Sequence, residues 1–197
     1  MNVSRLSWAG LGTITACLVS VLVLNADAPR GWHLSGSKPA DYDSGVDIAE
    51  AHEGQHTAFL KSKGATAAGF GTVMQNISAE NYKGNKVRLS GLVKAEDVSG
   101  WAGIWMRVDR GTQMLVLDNM QNRAIKGTKG RQRCFVVLDV PKDATKIAFG
   151  VLLSGPGQVW LNDAKLETVD AAEASTATVQ TQEEVLPESP VNLQFLQ

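Results

Sequence analysis

The stretch GWAGIWMRVD, residues 100–109, has two faces of opposite character when it is read as a β-strand. Successive side chains of a strand point to opposite sides of the sheet. One side then carries an apolar row suited to a core, formed by Ala102, Ile104, Met106 and Val108. The other side carries Trp101, Gly103, Trp105, Arg107 and Asp109. This alternation predicts a strand with one buried face and one face that can contact a ligand.

Further short runs rich in Val, Ile, Leu and aromatic residues surround this stretch, and turn residues separate them. The runs cover residues 70–77, 86–94, 101–109, 113–120, 134–140, 146–153 and 158–166. Short strands at this spacing, without long helical patterns between them, predict an all-β, antiparallel sandwich. The predicted core-facing rows are Val87, Leu89, Gly91 and Val93, then Ile147, Phe149, Val151 and Leu153, and lastly Phe135 with Val137. On the other face of strand 146–153, the small residues Ala148 and Gly150 would leave a shallow groove beside the tryptophans.

The N-terminal residues 1–28 have the composition of an export or anchor helix. An early Arg5, an apolar run and the small residues Ala26-Asp27-Ala28 predict a cleaved signal peptide. The run is also long enough for a retained membrane anchor, and Ile14-Thr15-Ala16-Cys17 is similar to a lipobox, so anchoring and lipidation remain alternatives. All three interpretations place the domain outside the cytoplasm, either secreted, periplasmic or anchored facing outward. Contact with a membrane is expected only through this segment.

Residues 29–170 are expected to form the folded domain. The first part, residues 29–45, predicts an entry segment laid over the domain, with Trp32 and Tyr42 as packing anchors. Residues 171–197 are rich in Ala, Ser, Thr, Gln and Glu and predict a disordered acidic tail.

The charge and cysteine content of the chain limit the kinds of ligand and the kinds of stabilising bond that we expect. The chain has 19 Lys and Arg against 20 Asp and Glu, a balance that argues against nucleic acid as a ligand. Five basic residues between Arg123 and Arg133 either attract an anion or form a solvated loop. Cys134 is the cysteine outside the predicted leader, so we expect no intramolecular disulfide and a core that supplies the stability.

A zinc-peptidase motif, His52-Glu53-Gly54-Gln55-His56, is present in the sequence. Zinc chemistry requires both histidines on one face of a helix, with the Glu beside a metal-bound water. Gly54 disfavours a helix at the centre of the motif, and residues 57–61 have the composition of a strand. We therefore predict a turn leading into a strand, with no metal shared by His52 and His56; a zinc peptidase remains the minor alternative.

The polar face of residues 100–109 has the chemistry of a saccharide site. An indole packs against the C–H face of a sugar, and Arg107 and Asp109 donate to and accept from its hydroxyls. Arg107 also suits an acidic sugar. The predicted ligand-binding residues are Trp101, Trp105, Arg107 and Asp109, with Gln75, Asn119 and Gln121 contributing from adjacent strands.

Three strings extend this picture: YKGNKVRLSGLVKAEDVSGWAGIWMRVD at residues 82–109, LDNMQNRAIKGT at 117–128, and VVLDVPKDATKIAFGVLLSGPGQVWLNDAKLE at 136–167. Over residues 31–169 the chain resembles the galactose-binding-like β-jelly-rolls typified by carbohydrate-binding modules, and within them bacterial domains of unassigned function, some exported and some joined to transcription regulators. The resemblance implies a jelly-roll fold. It also implies a structural calcium, for which Asp47, Glu50 and Asp163 are the matching positions, although Asn162 replaces an Asp common in that pair.

The function expected from these observations is a non-catalytic, exported binding module for a carbohydrate or similar polar small molecule, without a cofactor unless calcium is bound. The alternative is an envelope domain with a sensory role or a protein partner. No nucleophile motif or phosphate loop occurs in the sequence. Asp109 and Asp118 are the acids to weigh for glycoside hydrolysis, but their strand-end positions favour a structural role.

Overall fold

The computed structural model describes residues 28–180, and nearly all of this range is β-structure. Ten antiparallel strands form one continuous sheet. They are β1 (His33–Gly36), β2 (Tyr42–His52), β3 (Gln55–Ser62), β4 (Phe70–Ser78), β5 (Lys86–Arg110), β6 (Gln113–Asp118), β7 (Ile125–Asp139), β8 (Lys146–Ser154), β9 (Gln158–Val169) and β10 (Val179–Gln180). Short 3-10 helices occupy Pro39–Asp41, Glu80–Tyr82 and Gln121–Arg123. Within residues 28–180 no helix is long and apolar enough to cross a membrane.

Strand β5 takes part in both layers of the sandwich. One layer contains β2, β3, β9, β7 and the first half of β5, and the other contains β1, β4, β8, β6 and the second half of β5. Its first half pairs with β7 and β9, and its second half pairs with β6 and β8. The strand order β1-β4-β8-β5-β9-β3-β2 therefore belongs to a curled antiparallel sheet, consistent with the predicted β-sandwich. The turn predicted between the runs at residues 86–94 and 101–109 is absent: the backbone continues as one strand, with successive register shifts between Val93 and Ala102.

The core lies between these layers, and most of the predicted inward rows are confirmed. Ala102, Ile104, Met106 and Val108 are no more than 1% exposed. The rows on the first half of β5 and on β8 are buried as well.

Strand β7 corrects the third predicted row. Phe135 is 48% exposed, and the core is contacted instead by Cys134, Val136 and Leu138. Val137 is buried too, so apolar residues occupy both faces and the alternation does not identify the inner one. The strand also begins at Ile125, so most of the basic stretch between Arg123 and Arg133 is strand and not a solvated loop.

The segment after β9 covers Val137. Thr176 donates its backbone N–H to the Val137 carbonyl (2.8 Å) and accepts the Val137 N–H on its hydroxyl (2.9 Å). The Thr178 N–H then bonds to the Leu117 carbonyl of β6 (2.9 Å), and β10 pairs with β6. Residues 171–180, which composition assigns to a disordered tail, are therefore held against the domain by backbone hydrogen bonds. The rest of that tail, residues 181–197, and residues 1–27 of the predicted export segment lie outside the described residues.

The entry segment is more regular than its composition suggests. It contains β1, which pairs with β4, and the start of β2, which pairs with β3. Both predicted packing anchors are confirmed. Trp32 meets Phe149 edge to face with ring centroids 5.8 Å apart, and Tyr42 is 1% exposed with its hydroxyl donating to the Gly69 carbonyl (3.2 Å).

Candidate functional site

A groove of about 510 Å³ lies on the outer face of the layer formed by β1, β4, β8, the second half of β5, and β6. This volume lies in the range of small-molecule sites in proteins. Trp101, Trp105 and Arg107 from β5 line it, as does Asn119 from the loop after β6. Four of the seven predicted ligand-binding residues therefore share one concave surface, which we call the outer groove.

Strand register explains the depression at the centre of the outer groove. Trp105 lies opposite Gly150 on β8, and Gly150 lies opposite Met74 on β4. Arg107 lies opposite Ala148 in the same way. Because the two β8 residues are small, the larger side chains of the flanking strands stand above them, as the sequence predicted.

Trp105 forms part of the floor. Its side chain reaches over β8 and donates the indole N–H to the Thr72 hydroxyl on β4 (2.7 Å). It packs with Met74, Ala148 and Leu152 in a buried cluster separate from the main core, and it is only 8% exposed. A buried indole with a satisfied N–H is a rigid apolar surface.

Trp101 is the more accessible of the two tryptophans. It packs against the edge of the cluster formed around Trp105 but is itself only partly buried. It lies opposite Ser154 on β8, six strand positions from Arg107, which corresponds to about 20 Å at the usual rise of a strand. The outer groove therefore has an aromatic end and a charged end.

The charged end is built around a buried carboxylate. The Asp109 side chain is 3% exposed, and it pairs with Arg107 from the same strand and Lys146 from β8. Arg107 Nη2 donates to Asp109 Oδ2 (3.0 Å), and Lys146 Nζ lies 3.0 Å from the same oxygen. Arg107 Nε lies 2.8 Å from Oδ1 in an ion pair, without a hydrogen bond from Nε. Asp109 thus orients the cations from beneath and does not line the outer groove.

A loop after β6 supplies one wall. Met120 adopts a left-handed backbone conformation (φ 60°) and packs over Gly103, where an added Cβ would lie 2.9 Å from the Met120 Cβ. The preceding Asn119 lines the outer groove, and its Oδ1 accepts the Gln121 backbone N–H (3.1 Å). A glycine is therefore needed at position 103, on the ligand-facing side of β5, so that the loop can pack closely against the strand.

Two predicted binding residues lie elsewhere. Gln75 falls on the opposite side of β4, where its amide is near Gly31 of the entry segment. Gln121 is exposed in the 3-10 turn and does not line the outer groove. The neighbouring Asn76 lines it instead of Gln75, because alternate residues of a strand face opposite sides.

Other residues of the outer groove were missed by the sequence reasoning. They are His33 and Ser35 of β1, Phe70, Thr72 and Met74 of β4, Met114 and Leu117 of β6, and Lys146 and Leu152 of β8. The alternation in β4 groups Phe70, Thr72 and Met74 on one face, but it does not show that this face lines the outer groove. Lys146 carries no signal in the sequence, because its place beside Asp109 depends on which strand pairs with β5.

The two acids weighed for glycoside hydrolysis both have structural partners. Asp118 is fully buried and binds Arg123 through Nη2 and Oδ2 (2.6 Å), and it accepts the Met120 backbone N–H (2.8 Å). Asp109 holds Arg107 and Lys146. Neither carboxylate lines the outer groove.

The three calcium candidates are each engaged by other groups. Asp47 accepts the Trp160 indole N–H (2.9 Å), and Glu50 pairs with Lys94 and Arg131. Asp163 pairs with Arg133 and Lys165, whose hydrogen bonds lower the pKa of this carboxyl. Among residues 28–180 no group of three metal-ligating side chains is brought together, so the donor set does not fit a calcium site.

The zinc-peptidase motif lies in the β2–β3 hairpin. His52 pairs with Gln55, and the two residues between them, Glu53 and Gly54, have positive φ values of 50° and 76°. This is the conformation of a two-residue hairpin turn. The predicted turn into a strand is therefore confirmed, and the helix that zinc-peptidase chemistry requires is absent at this motif.

The basic stretch between Arg123 and Arg133 is mostly neutralised. Its arginines pair with carboxylates, namely Arg123 with Asp118, Arg131 with Glu50, and Arg133 with Asp163. Lys126 and Lys129 are exposed. Burial raises the pKa of the nearby Cys134 thiol, and the positive charge of Arg123 opposes this effect.

Comparison with known proteins gives one sequence relative and several similar folds. No protein-family model matches the chain. An uncharacterized HTH-type transcriptional regulator of Bacillus subtilis (strain 168), YbfP, is 43% identical over 168 residues, which are 84% of this chain and 56% of that protein. The chain therefore spans little more than half the length of this relative.

The similar folds include modules with different activities. The CBM22-1 xylan-binding domain of Paenibacillus barcinonensis Xyn10C has a TM-score of 0.52 at 19% identity, covering 75% of this chain and 92% of that domain. A cyclase from Fischerella sp. TAU has a TM-score of 0.52 at 16% identity, covering 76% and 89%. At these identities the likeness shows the fold, and function must be argued from the site.

Proposed function

We propose that this domain is a non-catalytic binding module and that its outer groove binds a saccharide. The observation that carries the proposal is the combination of two indoles and a fixed guanidinium along one concave surface of about 510 Å³. The likeness of its fold to a xylan-binding domain supports the same class of ligand. We further propose that the sandwich is a galactose-binding-like jelly-roll, in keeping with the motifs at residues 82–109 and 117–128.

The role proposed for each residue of the outer groove follows from how exposed its side chain is. Trp101 supplies the accessible face for a sugar ring, and Trp105 gives the floor a rigid apolar surface. Asn119 and Arg107 supply polar contacts at the wall and at the charged end. One stacked ring and a few solvent-accessible hydrogen bonds predict a dissociation constant of about 10 µM to 1 mM.

The experiment that tests this proposal is a titration of the full chain with soluble oligosaccharides, followed by tryptophan fluorescence and calorimetry. Xylo-, galacto- and gluco-oligosaccharides form the neutral set, with uronic-acid oligosaccharides as the acidic set. Saturable binding by at least one set supports the proposal. Flat titrations for all of them up to millimolar concentration contradict it.

A second candidate function is ligand sensing, which the similarity to an HTH-type regulator favours. In that role the outer groove would bind an effector, and the resulting conformational change would act on another part of a longer protein or on a partner at the cell envelope. Binding of a free monosaccharide in preference to a polymer would favour sensing over attachment to a polysaccharide.

Export is also part of the proposal. It rests on Arg5, the apolar run and Ala26-Asp27-Ala28. N-terminal sequencing of the protein from the extracytoplasmic fraction tests it, with Pro29 expected as the first residue. Intact Met1 on a soluble cytoplasmic protein would contradict it.

A further inference from the structure

We infer that the outer groove selects a saccharide that carries an anionic group, specifically a sugar carboxylate as in a uronic acid; this inference rests on the proposed function. Arg107 and Lys146 both line the outer groove, and none of the described residues that line it is acidic. A neutral sugar does not require this excess of positive charge.

The counter-charge lies under the surface. Asp109 is 2% exposed, and both of its carboxylate oxygens face the two cations. One negative charge therefore offsets two positive charges, and one positive charge is left facing the ligand side. A buried carboxylate whose oxygens are both paired with cations repels an anionic ligand less than an exposed acid would.

The guanidinium geometry suits a second carboxylate. Asp109 engages the Nε and Nη2 side of Arg107, which leaves the end formed by Nη1 and the second Nη2 hydrogen for a ligand. That end matches the two oxygens of a carboxylate. Asp109 also fixes the orientation of the Arg107 guanidinium, which lowers the conformational entropy lost when the ligand binds.

Lys146 completes the anion site. Its Nζ and Arg107 Nη2 each lie 3.0 Å from Asp109 Oδ2, so the two nitrogens are close enough to contact the same anionic group. The apolar floor begins at Trp105, two residues from Arg107 on the same face of β5, or about 7 Å along the strand. A sugar ring over the floor can therefore place its carboxylate at the cations.

The test compares two ligands that differ in one charged group. The full chain is titrated by calorimetry with xylotetraose and with xylotetraose bearing a single glucuronic acid branch. Free glucuronate and inorganic sulfate are included as probes for the anion alone. We expect the branched ligand to bind about 3- to 10-fold more tightly at low salt. We expect this advantage to shrink as NaCl is raised from about 50 to about 500 mM.

Matched variants assign the effect to the site. Lys146→Gln should reduce the ratio of acidic to neutral affinity, whereas Lys129→Gln, which removes the same charge from exposed β7, should retain the wild-type ratio. Thermal melting checks that both variants fold. If Lys146→Gln does not fold, the comparison of the two ligands on the wild-type chain decides the question.

The remaining outcomes separate this inference from the proposed function. Equal affinity for the two ligands, or an acid preference that Lys146→Gln retains, overturns the inference and leaves saccharide binding in place. Sulfate binding as tight as that of the branched ligand shows a simple anion site and overturns it as well. Absence of binding to every sugar overturns both.

Discussion

Trp105 and Thr72 are joined by a hydrogen bond of 2.7 Å from the indole N–H to the threonine hydroxyl. The Thr72 hydroxyl donates in turn to the Val151 carbonyl (2.8 Å). This short chain of bonds connects β5, β4 and β8 on the side of the sheet away from the core. It holds the floor of the outer groove in place before any ligand arrives.

Replacing Thr72 with valine should therefore destabilise the domain. The substitution keeps the side-chain shape and removes the acceptor, so the buried indole N–H of Trp105 is left unpaired at a cost of about 1 to 3 kcal/mol. Denaturant unfolding of the wild type and the variant measures the difference in the free energy of unfolding. Thr72→Ser, which keeps the hydroxyl, serves as the control and should lose less. Equal stability of Thr72→Val and the wild type would show that the bond contributes nothing.

Gly150→Ala should be destabilising because the strands approach each other too closely for a side chain. A Cβ at this position would lie 2.2 Å from the Val73 carbonyl oxygen and 2.9 Å from the Met74 Cα. Relieving such contacts requires backbone movement between β4 and β8, and we expect a loss of about 2 kcal/mol or more. Gly130→Ala is the matched control, since nothing lies within 4 Å of its added Cβ. A thermal midpoint of Gly150→Ala equal to that of Gly130→Ala would refute the close packing.

The Cys134 thiol should react slowly in the folded protein. Burial raises its pKa, so the folded chain holds the thiol proton at a pH where the unfolded chain begins to release it. Above roughly pH 8.5, the ordinary thiol pKa, the unfolded state then binds fewer protons, and stability contributed by this group falls as pH rises. Thiol-reagent kinetics at pH 8 in a Cys17→Ser background measure the reactivity, and unfolding at pH 8 and pH 10 compared with Cys134→Ser measures the linkage. Equal rates in native and denatured protein would contradict this account.

The sequence was sufficient to predict the all-β class and the two faces of residues 100–109. Regular alternation over Ala102, Ile104, Met106 and Val108 identifies the core-facing side, because the opposite side carries the charged Arg107 and Asp109. The hairpin turn at Glu53 and Gly54 could also be predicted from the sequence, because local turn preferences determine it.

Phe135 and Gln75 show where this reasoning fails. In β7 both faces carry apolar residues, because residues after β9 cover Val137 on the outer side. The sequence pattern therefore predicts Phe135 in the core, whereas its side chain is exposed. On β4 the choice between Gln75 and Asn76 depends on the phase of one strand relative to another. Lys146 contacts Asp109 because β5 pairs with β8. The local sequence of neither strand indicates which distant strand it pairs with.

The most direct test of the central claim is the affinity of Trp101→Ala for the tightest-binding oligosaccharide of the wild-type titration. We predict a dissociation constant raised about tenfold or more by loss of the stacking surface. Phe135→Ala, which removes an exposed aromatic ring outside the outer groove, should bind like the wild type, and thermal melting should show both variants folded. If folded Trp101→Ala binds the oligosaccharide as tightly as the wild type does, the outer groove is not the saccharide site.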